Sequence, residues 1–273
     1  MSLLLRLRQS PSLALTVEQI DPLGLREKSI EEIEQLPVFH GNERLPLAEW
    51  FEITGNPQSE RIVIEGDCSR VHRLAAGMLG GELIAEGDVG RHFAAEMKAG
   101  EVELRGNAGD FCAAQMHGGT LIARQNVGHY TAAAYPGSRR GMRGGEIIIH
   151  GSAGNHLAQT MRRGTIVVCG ETGRAAGFDM IAGSLFLLGS VGTEVGAEMR
   201  RGTIALFQKE LPSLLPTFLP ACEIELPFMG YYLKTLQKRF SIPALHLTSR
   251  YQRFCGDLAT LGKGEILHCI ESF

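Results

Sequence analysis

ELIAEGDVGRHFAAEMKAG (82–100) and EVELRGNAGDFCAAQMHGG (101–119) are two copies of one nineteen-residue unit. Three more follow: EIIIHGSAGNHLAQTMRRG (146–164), TIVVCGETGRAAGFDMIAG (165–183) and SLFLLGSVGTEVGAEMRRG (184–202). Each reads apolar-x-apolar-x-Gly-x-x-Gly, six variable residues, then Met-x-x-Gly. The closing glycines fall at 81, 100, 119, 145, 164, 183 and 202, five steps of 19 and one of 26, and Met78, Met97, Met116, Met142, Met161, Met180 and Met199 keep the same phase. Seven turns in one register define a repeat, and a repeat decides the fold before local propensity does.

Nineteen residues hold no helix pair, and the glycines break any single long helix. Alternation such as Val102-Glu103-Leu104 points to strands, with every second side chain on one face. So short a unit cannot bury its apolar face alone and must stack on its copies. The expectation is a mainly β chain: a right-handed parallel β-helix of about seven 19-residue coils. Equivalent residues then lie about 4.8 Å apart, so each column of the repeat becomes a ladder.

Ile62, Leu83, Val102, Leu121, Ile147, Ile166 and Leu185 form one expected interior column, and Ile64, Ala85, Leu104, Ala123, Ile149, Val168 and Leu187 a second. Met97, Met116, Met161, Met180 and Met199 form a third, because an unbranched thioether fills irregular corners. Gly66, Gly87, Gly106, Gly151, Gly170 and Gly189 mark a corner too tight for a Cβ, interrupted by Gln125. Asp67, Asp88, Asn107, Asn126, Ser152, Glu171 and Ser190 follow them, a column read as turn capping in preference to cation binding.

Outside the repeat, residues 1–59 and 208–273 are expected to be α/β caps over the ends of a 60–207 repeat domain, because an open stack exposes strand edges. SIEEIEQL and GYYLKTLQKRF are their helical candidates. Seven extra residues lie within HYTAAAYPGSRRGMRGG (129–145). Insertions in solenoids cluster on one face, and Tyr130, Tyr135, Arg139 and Arg140 have the aromatic and arginine character of a contact surface.

Composition excludes more than it proposes. With 273 residues, 27 Lys+Arg against 30 Asp+Glu and a net charge of −3, neither nucleic acid nor an anionic membrane is an expected partner. No apolar run approaches the roughly 20 residues of a membrane span, and Arg6, Arg8 and Pro11 interrupt the apolar start, arguing against a signal peptide. Six cysteines without a C-x-x-C spacing suit reduced thiols and a cytoplasmic location, with Cys112 and Cys169 as core filler. No nucleophile elbow or H-E-x-x-H occurs, GDLATLGKG (256–264) lacks P-loop spacing, and the histidines are read as sharing no column, so neither catalytic residues nor a metal site is assigned. A β-helix enzyme with a flank active site stays open as a rival; it would need clustered carboxylates on one face.

The Gly-x-x-Gly…Met-x-x-Gly repeat over about 61–206, with YQRFCGDLATLGKGEI (251–266) after it, resembles the C subunit of formylmethanofuran dehydrogenases; the repeat is also similar to the C-terminal β-helical domain of the glutamate synthase large subunit. The resemblance implies a scaffold subunit without intrinsic activity. Of two branches, it favours the bacterial formyltransferase/hydrolase complex of methanofuran- and tetrahydromethanopterin-dependent one-carbon metabolism, oxidising formaldehyde to formate. The alternative is a tungsten or molybdenum formylmethanofuran dehydrogenase. It further implies amidohydrolase-like, formyltransferase and molybdopterin-oxidoreductase-like partners, with the methanofuran-type carrier and metal sites held by them and no cofactor on this chain.

One column remains. After each methionine come Leu79, Lys98, His117, Arg143, Arg162, Ile181 and Arg200, with Arg163 and Arg201 alongside. Stacked cations repel, so a solvated face is one reading. A basic track for a partner or for the glutamyl tail of a carrier implied by the resemblance is the other, with Arg143, Arg162 and Arg200 as its contacts.

Overall fold

The computed structural model describes residues 2–242 and 250–270; Met1, 243–249 and 271–273, which belong to the expected end caps, lie outside the described residues. The first strands are β1 (Leu3–Leu7), β2 (Leu15–Thr16), β3 (Pro37–His40), β4 (Glu43–Pro46) and β5 (Phe51–Gly55). The repeat region supplies β6 (Arg61–Glu65), β7 (Val71–His72), β8 (Glu82–Ala85), β9 (Glu101–Leu104), β10 (Thr120–Ala123), β11 (Glu146–Ile149), β12 (Thr165–Val168), β13 (Ser184–Leu187) and β14 (Arg201–Leu206). The C-terminal region adds β15 (Leu219–Glu225), β16 (Arg250–Gly256) and β17 (Lys263–Cys269). Helices are few: α1 (Pro22–Leu25), α2 (Ile30–Glu34) and α3 (Pro227–Phe240). None is long and apolar enough to cross a membrane among the described residues.

Among the described residues the chain is mainly β, and thirteen strands form one mostly parallel sheet in the order β15-β16-β17-β14-β13-β12-β11-β10-β9-β8-β6-β1-β5. The repeat sets its register. Leu83 pairs with Val102, Val102 with Leu121, Leu121 with Ile147 and Ile147 with Ile166, so the 26-residue step passes without a slip. Antiparallel pairing is confined to the sheet's ends, where β5 joins β1 and β16 joins both β15 and β17.

The same offset recurs away from the sheet. Cys68, Val89, Ala108, Val127, Ala153, Thr172 and Val191 are joined by consecutive parallel bridges. Further along, the Lys98 N–H donates to the Met78 carbonyl at 2.8 Å, Arg162 to Met142 at 2.8 Å and Arg200 to Met180 at 2.8 Å. Each repeat therefore hydrogen-bonds to its neighbours at several stations.

Packing follows the columns. Both apolar columns and every repeat methionine are at most 1% exposed, which accounts for the seven in-phase methionines. The tight corner is equally plain: a Cβ on Gly170 would lie 2.7 Å from the Gly151 carbonyl carbon. In the next column Asp88 Oδ1 accepts from the Asn107 backbone N–H at 2.7 Å, and Asn107 Oδ1 from that of Asn126 at 3.1 Å. Asp67, whose Oδ1 accepts the Ser69 N–H at 3.0 Å, caps its own turn as expected, whereas Asp88, Asn107, Asn126 and Ser152 bridge to the backbone of the next repeat.

A second apolar cluster lies on the opposite side of the sheet. Ile122, Ile148, Val167 and Phe186 occupy the middle strand positions and are buried with Met229, Leu233, Leu236 and Phe240 of α3. That spacing of four, three and four residues is one face of a helix. Pro227 opens α3, and left-handed Ser241 (φ 54°) ends it. Thr165 and Tyr232 share a hydroxyl–hydroxyl hydrogen bond of 3.0 Å, and Arg239 meets Glu146 at 2.7 Å. In α2, Ser29 and Glu32 form a reciprocal capping box. Cys112 is fully buried, its thiol pushed up to about 12 by burial, and Cys169 packs against the outer cluster.

Candidate functional site

From Lys98 to Arg200, each residue after a repeat methionine sits where the chain turns back toward the sheet, its N–H donated to the methionine carbonyl of the preceding repeat; Leu79, after the first methionine, donates to Asp21 instead. Arg143, Arg162, Arg163, Arg200 and Arg201 are brought together there, around a cavity of about 560 Å³. Its remaining wall is apolar: Ile181, Ala182 and Leu261. The register pairing Arg201 with Lys263 brings a further cation to the same end.

These charges are largely unspent. Arg200 Nε pairs with Asp179 Oδ1 at 3.1 Å. The other four arginines form no ion pair among the described residues, while Arg105, Arg124 and Arg174 elsewhere on the repeat, and Arg239 of α3, all do. Arg143 Nε is buried without a hydrogen-bond partner. His117, one repeat below, has its imidazole held below the ordinary range by loss of solvent and by Arg143. Arg143 is half-buried and the other four are exposed; guanidinium groups gathered this way, with one carboxylate among them, have the donor geometry that suits carboxylates or phosphates.

The insertion divides into two parts. Tyr135 folds back on the body of the chain, its hydroxyl 3.1 Å from His92 Nδ1 and its ring against Phe111. Arg139 and Arg140 are exposed, without an ion pair among the described residues. Tyr135 is thus an anchor for the loop that presents the two arginines.

Beneath it runs an aromatic ladder. His92 stacks on Phe111 at 5.3 Å, Phe111 on Tyr130 at 5.0 Å and Tyr130 on His156 at 5.0 Å. The histidines therefore do share columns, contrary to the expectation: His92 and His156 belong to this one, and the Asp110–His129–Asn155 hydrogen-bond chain places His129 in another. The 26-residue step lies between Tyr130 and His156 in the first column, whereas His72 and His129 share the second at a strict period of 19. Phe111 and Tyr130 separate His92 from His156, and no cluster of three metal-ligating side chains occurs among the described residues. GDLATLGKG forms the turn between β16 and β17, and among the described residues no helix follows it to receive a phosphate.

Fold and surface together define a repeat-built β protein whose most distinctive chemistry is a basic corner. No family model matches the sequence. Over 77 residues it is 40% identical to the C subunit of molybdenum-containing formylmethanofuran dehydrogenase 1 from Methanothermobacter wolfeii, covering 28% of this chain and 19% of that one. Over 86 residues it is 34% identical to the C subunit of tungsten-containing formylmethanofuran dehydrogenase 2 from the same organism, covering 30% and 32%. The chain thus spans about a fifth to a third of the length of these curated relatives. A chain of the crystal structure of the formyltransferase/hydrolase complex (FhcABCD) from Methylorubrum extorquens, in complex with methylofuran, superposes with a TM-score of 0.88 at 33% identity, covering 97% of this chain and 98% of that one. The protein belongs to the family of formylmethanofuran dehydrogenase C subunits.

Proposed function

We propose that this chain is the scaffold subunit of a formyltransferase/hydrolase complex that oxidises formaldehyde-derived one-carbon units to formate in the cytoplasm. The observation that carries the reading is the end-to-end match to a chain of such a complex, 97% of one against 98% of the other. In this reading residues 60–207 are a right-handed parallel β-helix of seven coils, 1–59 and 208–273 its α/β caps, and catalysis belongs to the partners. Those are an amidohydrolase-like subunit, a formyltransferase and a molybdopterin-oxidoreductase-like subunit, which hold the metal sites and a methanofuran-type carrier.

Two surfaces would serve assembly. The insertion, with Tyr135 as anchor and Arg139 and Arg140 presented outward, docks one partner. The corner formed by Arg143, Arg162 and Arg200 faces an anionic carrier tail or an acidic partner segment. The curated relatives, named as molybdenum and tungsten dehydrogenase subunits, support a second reading, the C subunit of such a dehydrogenase. Metal analysis of the complex isolated through a tag on this chain separates them. Formyltransferase and hydrolase activity without stoichiometric tungsten or molybdenum supports the first; pterin-bound metal with dehydrogenase activity supports the second. A chain that elutes alone and processes formyl groups unaided contradicts both.

A further inference from the structure

The arginines of the basic corner are not evenly spaced. Arg143, Arg162 and Arg163 stand on two successive repeats, the next repeat carries Ile181 and Ala182, and Arg200 and Arg201 stand on the one after. The backbone ladder fixes this order, because Arg162 binds Met142, Ile181 binds Met161 and Arg200 binds Met180 through their N–H groups at 2.8 Å. At about 4.8 Å per step, Arg162 and Arg200 are two steps, about 10 Å, apart along the stack, with Arg143 one step further back, across an apolar floor that Leu261 borders.

We infer that this cavity is a two-point receptor for an elongated dianion, whose two carboxylates are about 10 Å apart and joined by an apolar span. The inference rests on the reading of the arginine columns as a ligand surface and, by adding the ligand's shape, selects against a uniformly charged carrier tail. A uniformly charged polyanion would place a carboxylate over Ile181 and Ala182, stripping it of water with no cation opposite. An apolar middle buries against those side chains instead. Arg143 Nε, sheltered and without a partner, and the unpaired Arg162 and Arg163 receive one end. Arg201, with Arg200 oriented by Asp179 at 3.1 Å, receives the other. Two sources carry this chemistry: a free aliphatic dicarboxylate, or a polypeptide segment with two acidic side chains flanking apolar ones.

Calorimetric titration of the full-length chain with succinate, adipate, suberate and sebacate tests the spacing. Suberate is expected to bind at least about tenfold tighter than succinate. Either Arg162→Gln with Arg163→Gln, or Arg200→Gln with Arg201→Gln, is expected to erase that preference at unchanged thermal midpoint. Ile181→Arg places a charge in the gap and is expected to shift the preference toward adipate. A blocked Glu-Leu-Leu-Glu peptide separates the sources: competition with suberate assigns the site to a polypeptide segment, and suberate binding without peptide binding assigns it to a free dicarboxylate. Anion binding with no dependence on chain length overturns the two-point receptor and leaves the basic surface standing. No binding of any anion overturns both.

Discussion

The hydroxyl of Thr260 donates to the carbonyl of Met199 at 2.8 Å, completing a ladder that has no further repeat to continue it. Every earlier methionine of the column gives its carbonyl to the next repeat, as Met180 does to Arg200. Beside Thr260, Asp257 Oδ2 accepts the Glu198 N–H at 3.0 Å, an amide whose counterpart Asp179 donates to Ala197 of the following repeat. At the other end Asp21 Oδ1 accepts the Leu79 N–H at 3.0 Å, where no preceding methionine exists. The stack is stopped by three side chains that reproduce what a further repeat would supply.

Removing such a stopper strands a sheltered backbone group. Asp21→Ala and Thr260→Val should each cost about 1–3 kcal/mol, read from the shift of the urea midpoint. Ser10→Ala, at an exposed position, is the control and should leave it unchanged.

Asp257 adds a pH dependence. Burial by itself would raise its carboxyl, but hydrogen bonds from the Ala259 and Glu198 amides outweigh it and hold the group below the ordinary carboxylate range. A carboxyl depressed in the folded state contributes stability above its unfolded value, about 4, and that stability disappears as pH falls through the folded value. Chemical denaturation across the acid range should show Asp257→Asn flatter than the parent below about pH 4. Parallel curves would mean the carboxylate is not a stopper.

Met161 and Ile149 are both fully buried. Replacing either by alanine should cost about 2–5 kcal/mol, and yield of the assembled complex should fall before its kcat does. Normal assembly with unchanged thermal stability would contradict the packing of these columns.

Most of this architecture is legible in the chain itself, because the glycines and methionines report the period and the alternating apolar residues report the buried face. The outer cluster is not legible in the same way. Ile148, Val167 and Phe186 lie in runs of at least three apolar residues, and the distant C-terminal residues that cover them, α3 among them, explain why alternation fails there. The stoppers Asp21, Asp257 and Thr260 act on residues about sixty positions distant, and no periodicity marks them. The arginine corner is visible as a column, yet its two-ended form needs the alignment of Ile181 and Ala182 between charged repeats. Tyr135 belongs to the expected contact surface of the insertion, and its hydrogen bond to His92 is a tertiary contact that no periodicity marks.

The insertion yields a separable effect. Trimming the seven extra residues, 135–141, should preserve the pairing of β10 with β11, which already crosses the step in register. The variant should keep its circular dichroism and lose one partner on co-purification. Tyr135→Phe removes the hydroxyl from His92 and should weaken that partner less than the deletion does. Full assembly of the trimmed variant would remove the insertion from the interface.

The scaffold role is tested most directly by rebuilding the complex from purified subunits with and without this chain, and measuring formate produced from the formylated pterin donor. The account predicts that the catalytic subunits keep their separate half-reactions without it, and that overall transfer returns only when the chain restores a stable particle containing it. Overall transfer at an undiminished rate in its absence would contradict the account.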